Sequence, residues 1–237
     1  MRYKIEFVGR EDLLALDTDD TWHGYRVLFS IPGSRQAIIE LPNDERAASA
    51  FLNAAVRDGE IVNWRLEHTD YQALGFPVWP AAQSSPLAVG DTFSLHGINA
   101  DVLARGKNGE GATLAVCDTG VDNRHSFFQG VNVSGDLNDG HGHGTHCAST
   151  AGGNRGIASK ARILSFKVLS DSGSGSESGV ANGIRAAAEA GAHVISLSLG
   201  GGASQVIDDA CTYAKTLGSL VIVAAGNTPS APIGSPA

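Results

Sequence analysis

The sequence predicts an α/β protein: a mostly parallel sheet with helices on both faces, preceded by a small α+β ferredoxin-like domain of β-α-β-β-α-β order. Three observations lead there. Residues 1–80 hold 5 of the 30 glycines but all three tryptophans (Trp22, Trp64, Trp79), so the chain changes character part-way along. Beyond that point apolar runs alternate with amphipathic helical segments, the pattern of a parallel sheet covered by helices. Between the two parts lies "GFPVWPAAQSSPLAVG", with three prolines and no charge, which reads as a linker. The expected organisation is a first domain over 1–70, a linker over 71–89 and a second domain over 90–237.

In the first domain "RYKIEFV" alternates Tyr3, Ile5 and Phe7 against Lys4 and Glu6, a half-buried strand. "EDLLALD" reads as a short helix. "YRVLFSI" and "QAIIEL" read as strands joined through "PGS", a tight hairpin. "NDERAASAFLNAAVRDG" is helical, with Asn43 as its cap, Gly59 at its end and one apolar face built from Ala47, Phe51, Leu52, Ala55 and Val56. "EIVNWRLEH" is the last strand. In the second domain "TLAVC", "ARILSFKVL", "HVISLSL" and "SLVIVAA" read as strands buried on both faces. Between them "ESGVANGIRAAAEAG" and "SQVIDDACTYAKTLG" are helical. Ile207, Ala210, Cys211, Ala214 and Leu217 form the apolar stripe of the second, and Gly191 and Gly218 stand at C-cap positions.

Composition narrows the function. A chain of 237 residues, 42% hydrophobic and 18% charged, has the make-up of an ordinary soluble globular protein. Its net charge of -8 argues against nucleic acid or an anionic membrane as the main partner. No apolar run reaches the roughly 18 residues of a membrane span. "MRYKIEFVGR" lacks the apolar core of a signal peptide. Cys117, Cys147 and Cys211 are few and odd in number, which suits reduced thiols in a cytoplasmic protein.

In parallel sheets chemistry gathers beyond the C-terminal ends of the strands. Here those ends read "CDTG", "SDSGSGS", "LGGG" and "AAGN". Asp118 follows a buried strand, and a carboxylate there needs a partner. His143, in "GHGTHCAS", opens a helical stretch from Thr145 onward, and Asn227 follows the apolar "VIVAAG". A carboxylate, an imidazole and an amide at three such edges suit an orienting acid, a general base and an oxyanion donor.

"DTGVD", "GHGTHCAS", "SLSLGGG" and "AAGN", in that order, closely resemble the motifs of subtilisin-like serine proteases, the subtilases. The resemblance covers roughly residues 90–237. It implies a serine endopeptidase with Asp118 as the triad acid, His143 as the base and Asn227 as the side-chain donor to the oxyanion. It further implies that the backbones of Gly173-Ser174-Gly175 and Ser198-Leu199-Gly200 pair with substrate as flanking strands. The first domain resembles the family's inhibitory propeptide, whose tail near Tyr71–Trp79 is then expected to run toward the cleft of His143. Some subtilases hold calcium with an Asp shortly after the triad acid. That register falls on Phe127 here, so no cofactor is expected and the calcium site is in doubt.

The family's nucleophile stands in a Gly-Thr-Ser motif well beyond the Asn, and the 237 residues contain no such triplet. Ser230 and Ser235 lie in a Pro-rich stretch that offers no helix to hold a nucleophile. The resemblance therefore implies a fragment, a truncation or one part of a split enzyme. Its partners would be a peptide or protein substrate and a C-terminal polypeptide or subunit completing the domain. The rival readings are an inactive pseudoprotease that binds peptides or regulates, and an inhibitor whose working part is the first domain. Three plainer alternatives concern single residues. Asp139, His141, His143 and His146 have the composition of a zinc site, but no distant ligand is evident. His141 and His146 serve structure as readily as chemistry. Cys147 is either a reactive thiol or a small buried residue.

Overall fold

The computed structural model describes residues 1–7, 21–30, 34–67, 71–73, 107–227 and 232–237, except the Phe29 side chain. The expected helix in "EDLLALD", the linker beyond Ala73 and Ser230 lie outside the described residues. In the first domain the strands are β1 (Arg2–Phe7), β2 (Thr21–Trp22), β3 (Tyr25–Ser30), β4 (Gln36–Glu40) and β5 (Ile61–Leu66), with helix α1 (Glu45–Arg57) between the last two. They form one sheet in the order β2-β3-β4-β1-β5, with every pairing antiparallel. Tyr3, Ile5 and Phe7 face inward as their alternation requires.

Two details differ from expectation. Asp44, not Asn43, caps α1: its Oδ1 accepts from the Ala47 N–H at 3.0 Å. Asn43 Oδ1 instead accepts from the Met1 ammonium at 2.8 Å. The buried face is Ala48, Leu52 and Ala55, packed on the sheet, while Ala47 and Val56 are exposed. Phe51 keeps an inward role through edge-on contacts with the rings of Trp22 and Tyr25.

The second domain is a five-stranded sheet in the order β13-β11-β7-β9-β8. Its strands are β7 (Thr113–Asp118), β8 (Val133–Gly135), β9 (Arg162–Lys167), β11 (Val194–Leu197) and β13 (Leu220–Val223). All its pairings are parallel. Helix α2 (His143–Gly152) lies on one face, and α3 (Glu177–Glu189) and α4 (Gln205–Thr216) lie on the other. β7 shows why both faces close. Leu114 and Val116 join the cluster of Ala148 on α2, while Ala115 and Cys117 join that of Ile184 and Ile207 on α3 and α4. The expectation of two-sided burial fails at β13, an edge strand in this sheet whose Leu220 and Ile222 are 57% and 49% exposed. On α4 the stripe holds at Ile207, Ala210 and Ala214 and is joined by Val206, but Leu217 is the exposed C-cap residue.

The two domains pack through Ile38. On β4 Ala37, Ile38 and Ile39 are all buried: Ile39 belongs to the cluster under α1, and Ile38 to the cluster of α3 and α4. The β4 sheet is thus covered on both sides. Among the described residues no helix is long and apolar enough to cross a membrane.

Candidate active site

β7 is the middle strand of its sheet. From it the chain passes to β8 and β9 on one side and returns to β11 and β13 on the other. Asp118 is the last residue of β7, so it stands at the crevice where such sheets hold ligands. His143 is the first residue of α2, whose N-cap Gly142 has φ 91. His143 Nδ1 lies 2.7 Å from Asp118 Oδ1, and both side chains are buried, at 5% and 1% exposure. The same Oδ1 accepts from the Thr119 N–H at 2.7 Å.

Asp139 makes this approach possible. Its Oδ1 accepts from Thr119 Oγ1 at 2.8 Å and from the Gly142 N–H at 2.8 Å, and its Oδ2 accepts from the Thr145 N–H at 2.9 Å. Thr119 Oγ1 in turn accepts from the Gly144 N–H at 2.9 Å. One carboxylate thus ties the Asp118 loop to the first turn of α2, where the helix dipole also favours a negative group. These hydrogen bonds hold the Asp139 acid below its ordinary pKa, although burial opposes them.

Gly144 completes the fit. A Cβ there would stand 3.1 Å from Asp118 Cβ and collide with the Gly120 carbonyl oxygen. Gly144→Ala is therefore expected to push α2 off the Asp118 loop at about 1–3 kcal/mol, the cost of overpacking. Calorimetry should read this as a fall in melting temperature of about 2–10 °C. An unchanged melting temperature would count against the close packing.

The Asp118 carboxylate on Nδ1 raises the His143 pKa well above its ordinary 6.5, and the Cys147 thiol adds to the effect against the opposing cost of burial. Cys147 Sγ lies 3.8 Å from both ring nitrogens of His143. The structure thus puts this cysteine against the imidazole, one turn along α2. Cys117, on the opposite face of the sheet, is wholly buried, and burial pushes its thiol far up; Cys211 is raised to about 11 for the same reason. All three cysteines are unpaired thiols.

The four residues weighed for zinc are not the ones whose ligand atoms lie together. Both Asp139 oxygens are engaged by Thr119, Thr145 and the backbone. Among the described residues the group that could share a metal is Asp118, His143 and Cys147, without Asp139, His141 or His146. At the doubted calcium position Phe127 belongs to a 3-10 turn (Ser126–Phe128), and Arg155 stacks over its ring at 5.5 Å.

The strand edges carry a segment of the chain itself. β10 (Ser174–Gly175) and β12 (Leu199–Gly200) flank β6 (Tyr71–Ala73) in a three-stranded antiparallel sheet. Ser174 pairs with Gln72, Gly175 with Tyr71, Leu199 with Ala73 and Gly200 with Gln72. Gly173 lies outside β10, yet its carbonyl accepts from the Ala73 N–H at 2.8 Å. Ser198 stands between β11 and β12 and takes no part in the pairing. The first residues of the expected linker are thus a strand.

Asn227 follows β13 at the same end of the parallel sheet as Asp118. It helps line a cavity of about 160 Å³ with Gly200, Gly201, Ala224, Ala225 and Gly226. Ser235 is buried and held by Ser204: its Oγ accepts from the Ser204 N–H at 2.7 Å and donates to the Ser204 carbonyl at 3.2 Å.

Sequence reading missed the ion pairs that join the domains. Glu177, wholly buried at the start of α3, accepts from Arg65 Nη2 at 2.7 Å and from Ser204 Oγ, and Lys4 Nζ lies 3.9 Å away. Beside it Glu67 Oε1 accepts from the Ser178 N–H at 2.7 Å, capping α3 from the first domain. The available signal was the cluster of charges within "EIVNWRLEH", which a solvated strand explains equally well.

Comparison with known proteins places this chain in a family. The model of the Subtilase family matches residues 109–237. Subtilisin-like protease 3 of Arthroderma benhamiae is 42% identical over 165 residues, covering 64% of this chain and 40% of that protein. Subtilisin-like protease 4 of Trichophyton equinum is 36% identical over 220 residues, 87% of this chain and 50% of that one. A cold-adapted subtilisin-like serine proteinase of known crystal structure is 40% identical, with a TM-score of 0.48 over 51% of this chain and 48% of its own. The chain spans about half the length of the relatives it matches. Since the family match takes in β7 with Asp118, α2 with His143 and β13 with Asn227, this chain belongs to the subtilase family.

Proposed function

We propose that the protein to which this chain belongs is a serine endopeptidase, with a nucleophilic serine supplied by polypeptide outside these 237 residues. The 2.7 Å contact between Asp118 and His143 at the end of the central strand is the observation that carries it. Asp118 holds the proton on Nδ1 and leaves Nε2 as the base. His143 takes the serine proton as the serine oxygen attacks the scissile carbonyl, then returns it to the leaving amine. Water, activated by the same nitrogen, hydrolyses the acyl-enzyme. Asn227 donates to the oxyanion, and the cavity beside it receives the substrate side chain next to the cleaved bond.

The first domain acts in this reading as an inhibitory propeptide, and its Tyr71–Ala73 strand occupies the edges meant for substrate. Residues 1–80 added in trans to the complete enzyme should inhibit it at micromolar concentration or below; no inhibition there would leave a permanent accessory domain. The test of the function itself is hydrolysis of unfolded casein by the complete protein. Asn227→Ala is expected to lower kcat by about 10²–10³. Unchanged turnover would remove Asn227 from the mechanism, and no hydrolysis by the unaltered protein would remove the protease reading.

A further inference from the structure

Lys167 brings a positive charge to the turn that carries Asp118. It ends β9, in register with Asp118 at the end of β7, and such partners in parallel strands send their side chains to the same face. Its side chain is 24% exposed, and its ammonium donates to the Thr119 carbonyl and, at 2.7 Å, to Asp171 Oδ1. That same Oδ1 accepts from the Gly140 N–H at 3.1 Å, and a Cβ on Gly140 would stand 2.5 Å from the Asp171 carboxyl carbon. These contacts, Lys167 before Gly140, hold the Asp171 acid below its ordinary range. One ammonium thus joins the turn that follows Asp118 to the loop that leads into His143.

We propose that Lys167 is a positioning residue for the Asp118–His143 pair, its ammonium and Asp171 setting the distance between the Asp118 turn and the Gly140 loop. The proposal rests on the protease reading and adds to it the group that aligns the acid with the base. Asp118 needs such help because its hydrogen bonds are one-sided. Oδ1 takes both the Thr119 N–H and His143 Nδ1, whereas Oδ2 is buried without a hydrogen-bond partner among the described residues. The backbone of the turn therefore decides where the carboxylate points, and Thr119 is the residue that Lys167 grips. Asp139 ties Thr119 to α2 through the hydroxyls of Thr119 and Thr145. Lys167 acts on the Thr119 carbonyl instead and reaches the loop by a separate route. A compact ammonium with three donors suits the place, since it serves a carbonyl and a carboxylate at once. Without it the carbonyl of a wholly buried residue loses a charged donor.

Two measurements on the complete protein test this, one of them independent of activity. Lys167→Met should lower kcat by about 10–100-fold with KM unchanged, the mark of misaligned catalytic groups rather than of weaker binding. Asp171→Ala, at a side chain 57% exposed, should lower kcat by a smaller factor. The double variant should be no slower than Lys167→Met, because the two residues act as one chain. The proton on His143 Nδ1, held 2.7 Å from Asp118 Oδ1, gives a far-downfield proton NMR resonance. Lys167→Met should move it upfield and speed its exchange with water by about tenfold or more. Asp171→Ala should move it in the same direction. A purely structural role would lower the melting temperature and leave this resonance in place.

An unmoved resonance in Lys167→Met would overturn the proposal whatever becomes of kcat. So would an unchanged kcat, and a native protein that cleaves then leaves the protease reading standing. Should Lys167→Met not fold, the same outcomes are read in Asp171→Ala. If the unaltered protein cleaves nothing, the protease reading fails and the resonance alone decides. An upfield move then sustains Lys167 as the residue that positions Asp118 on His143.

Discussion

Replacing Asp118 with Asn in the complete enzyme is expected to lower kcat by about 10⁴, the loss that follows when the acid of a Ser-His-Asp triad is replaced by its amide. The substitution is nearly isosteric. The asparagine oxygen still accepts from the Thr119 N–H, now at 2.7 Å, so the loop should keep its place. That same oxygen faces His143 Nδ1 at 2.7 Å, so what is lost is the negative charge that stabilises the imidazolium. In the native pair the carboxylate raises the His143 pKa above 6.5, and Asp118→Asn removes that cause.

Two pH effects follow. The base works only when neutral, so the acid limb of kcat/KM should lie above the ordinary histidine range in the native enzyme and move down in Asp118→Asn. Stability goes the other way. A raised folded-state pKa contributes stability that is fully present below about 6.5 and is lost as pH rises through the folded value. The variant should therefore lack that alkaline loss. Urea titrations between pH 5 and 10 would read it, and an identical pH slope in both proteins would contradict the coupling of Asp118 to His143.

The second large effect concerns how the first domain is held. Glu177 is wholly buried, with Arg65 at 2.7 Å and Lys4 at 3.9 Å reaching it from β5 and β1. Burial lowers the Lys4 pKa, and Glu177 opposes that shift by favouring the ammonium form. Neither cation is comfortable without the carboxylate, because breaking one side of a buried pair leaves a charge uncompensated. Glu177→Gln should then weaken docking of the first domain by about 3 kcal/mol, or about 150-fold in its dissociation constant. Arg65→Ala should cost less, since Arg65 is one-third exposed and Lys4 and Ser204 remain on Glu177. Inhibition of the complete enzyme by residues 1–80 in trans gives both values. A Glu177→Gln constant within threefold of native would mean that Ile38 and the other apolar contacts hold the domains without the ion pairs.

Much of this architecture was legible in the chain because the relevant signals were local. Alternation marked β1, and unbroken apolar runs marked β7, β9 and β11. Asp118 and His143 were legible through the glycines around them, whose spacing reflects the close approach at Gly144 rather than any property of the two residues alone. Other features were decided by tertiary contact. The α1 cap moved from Asn43 to Asp44 because Asn43 Oδ1 was taken by the Met1 ammonium. Ile38 and Ile39 are buried on opposite sides of β4, and reading "QAIIEL" as a plain hairpin strand passed over that double cover. The Glu177–Arg65 pair spans 112 positions, a separation at which charges carry no pattern. Tyr71 read as linker because the aromatics of "YQALGFPVWP" follow neither a strand nor a helix period that would betray burial.

The central claim is that Asp118 and His143 are the acid and base of a serine nucleophile lying outside these 237 residues. Labelling the complete protein with a fluorophosphonate, followed by peptide mapping, tests it most directly. One adduct is expected, on a serine beyond position 237, and it should vanish in His143→Ala. An adduct on Ser230 or Ser235, or labelling that persists undiminished in His143→Ala, would contradict the claim.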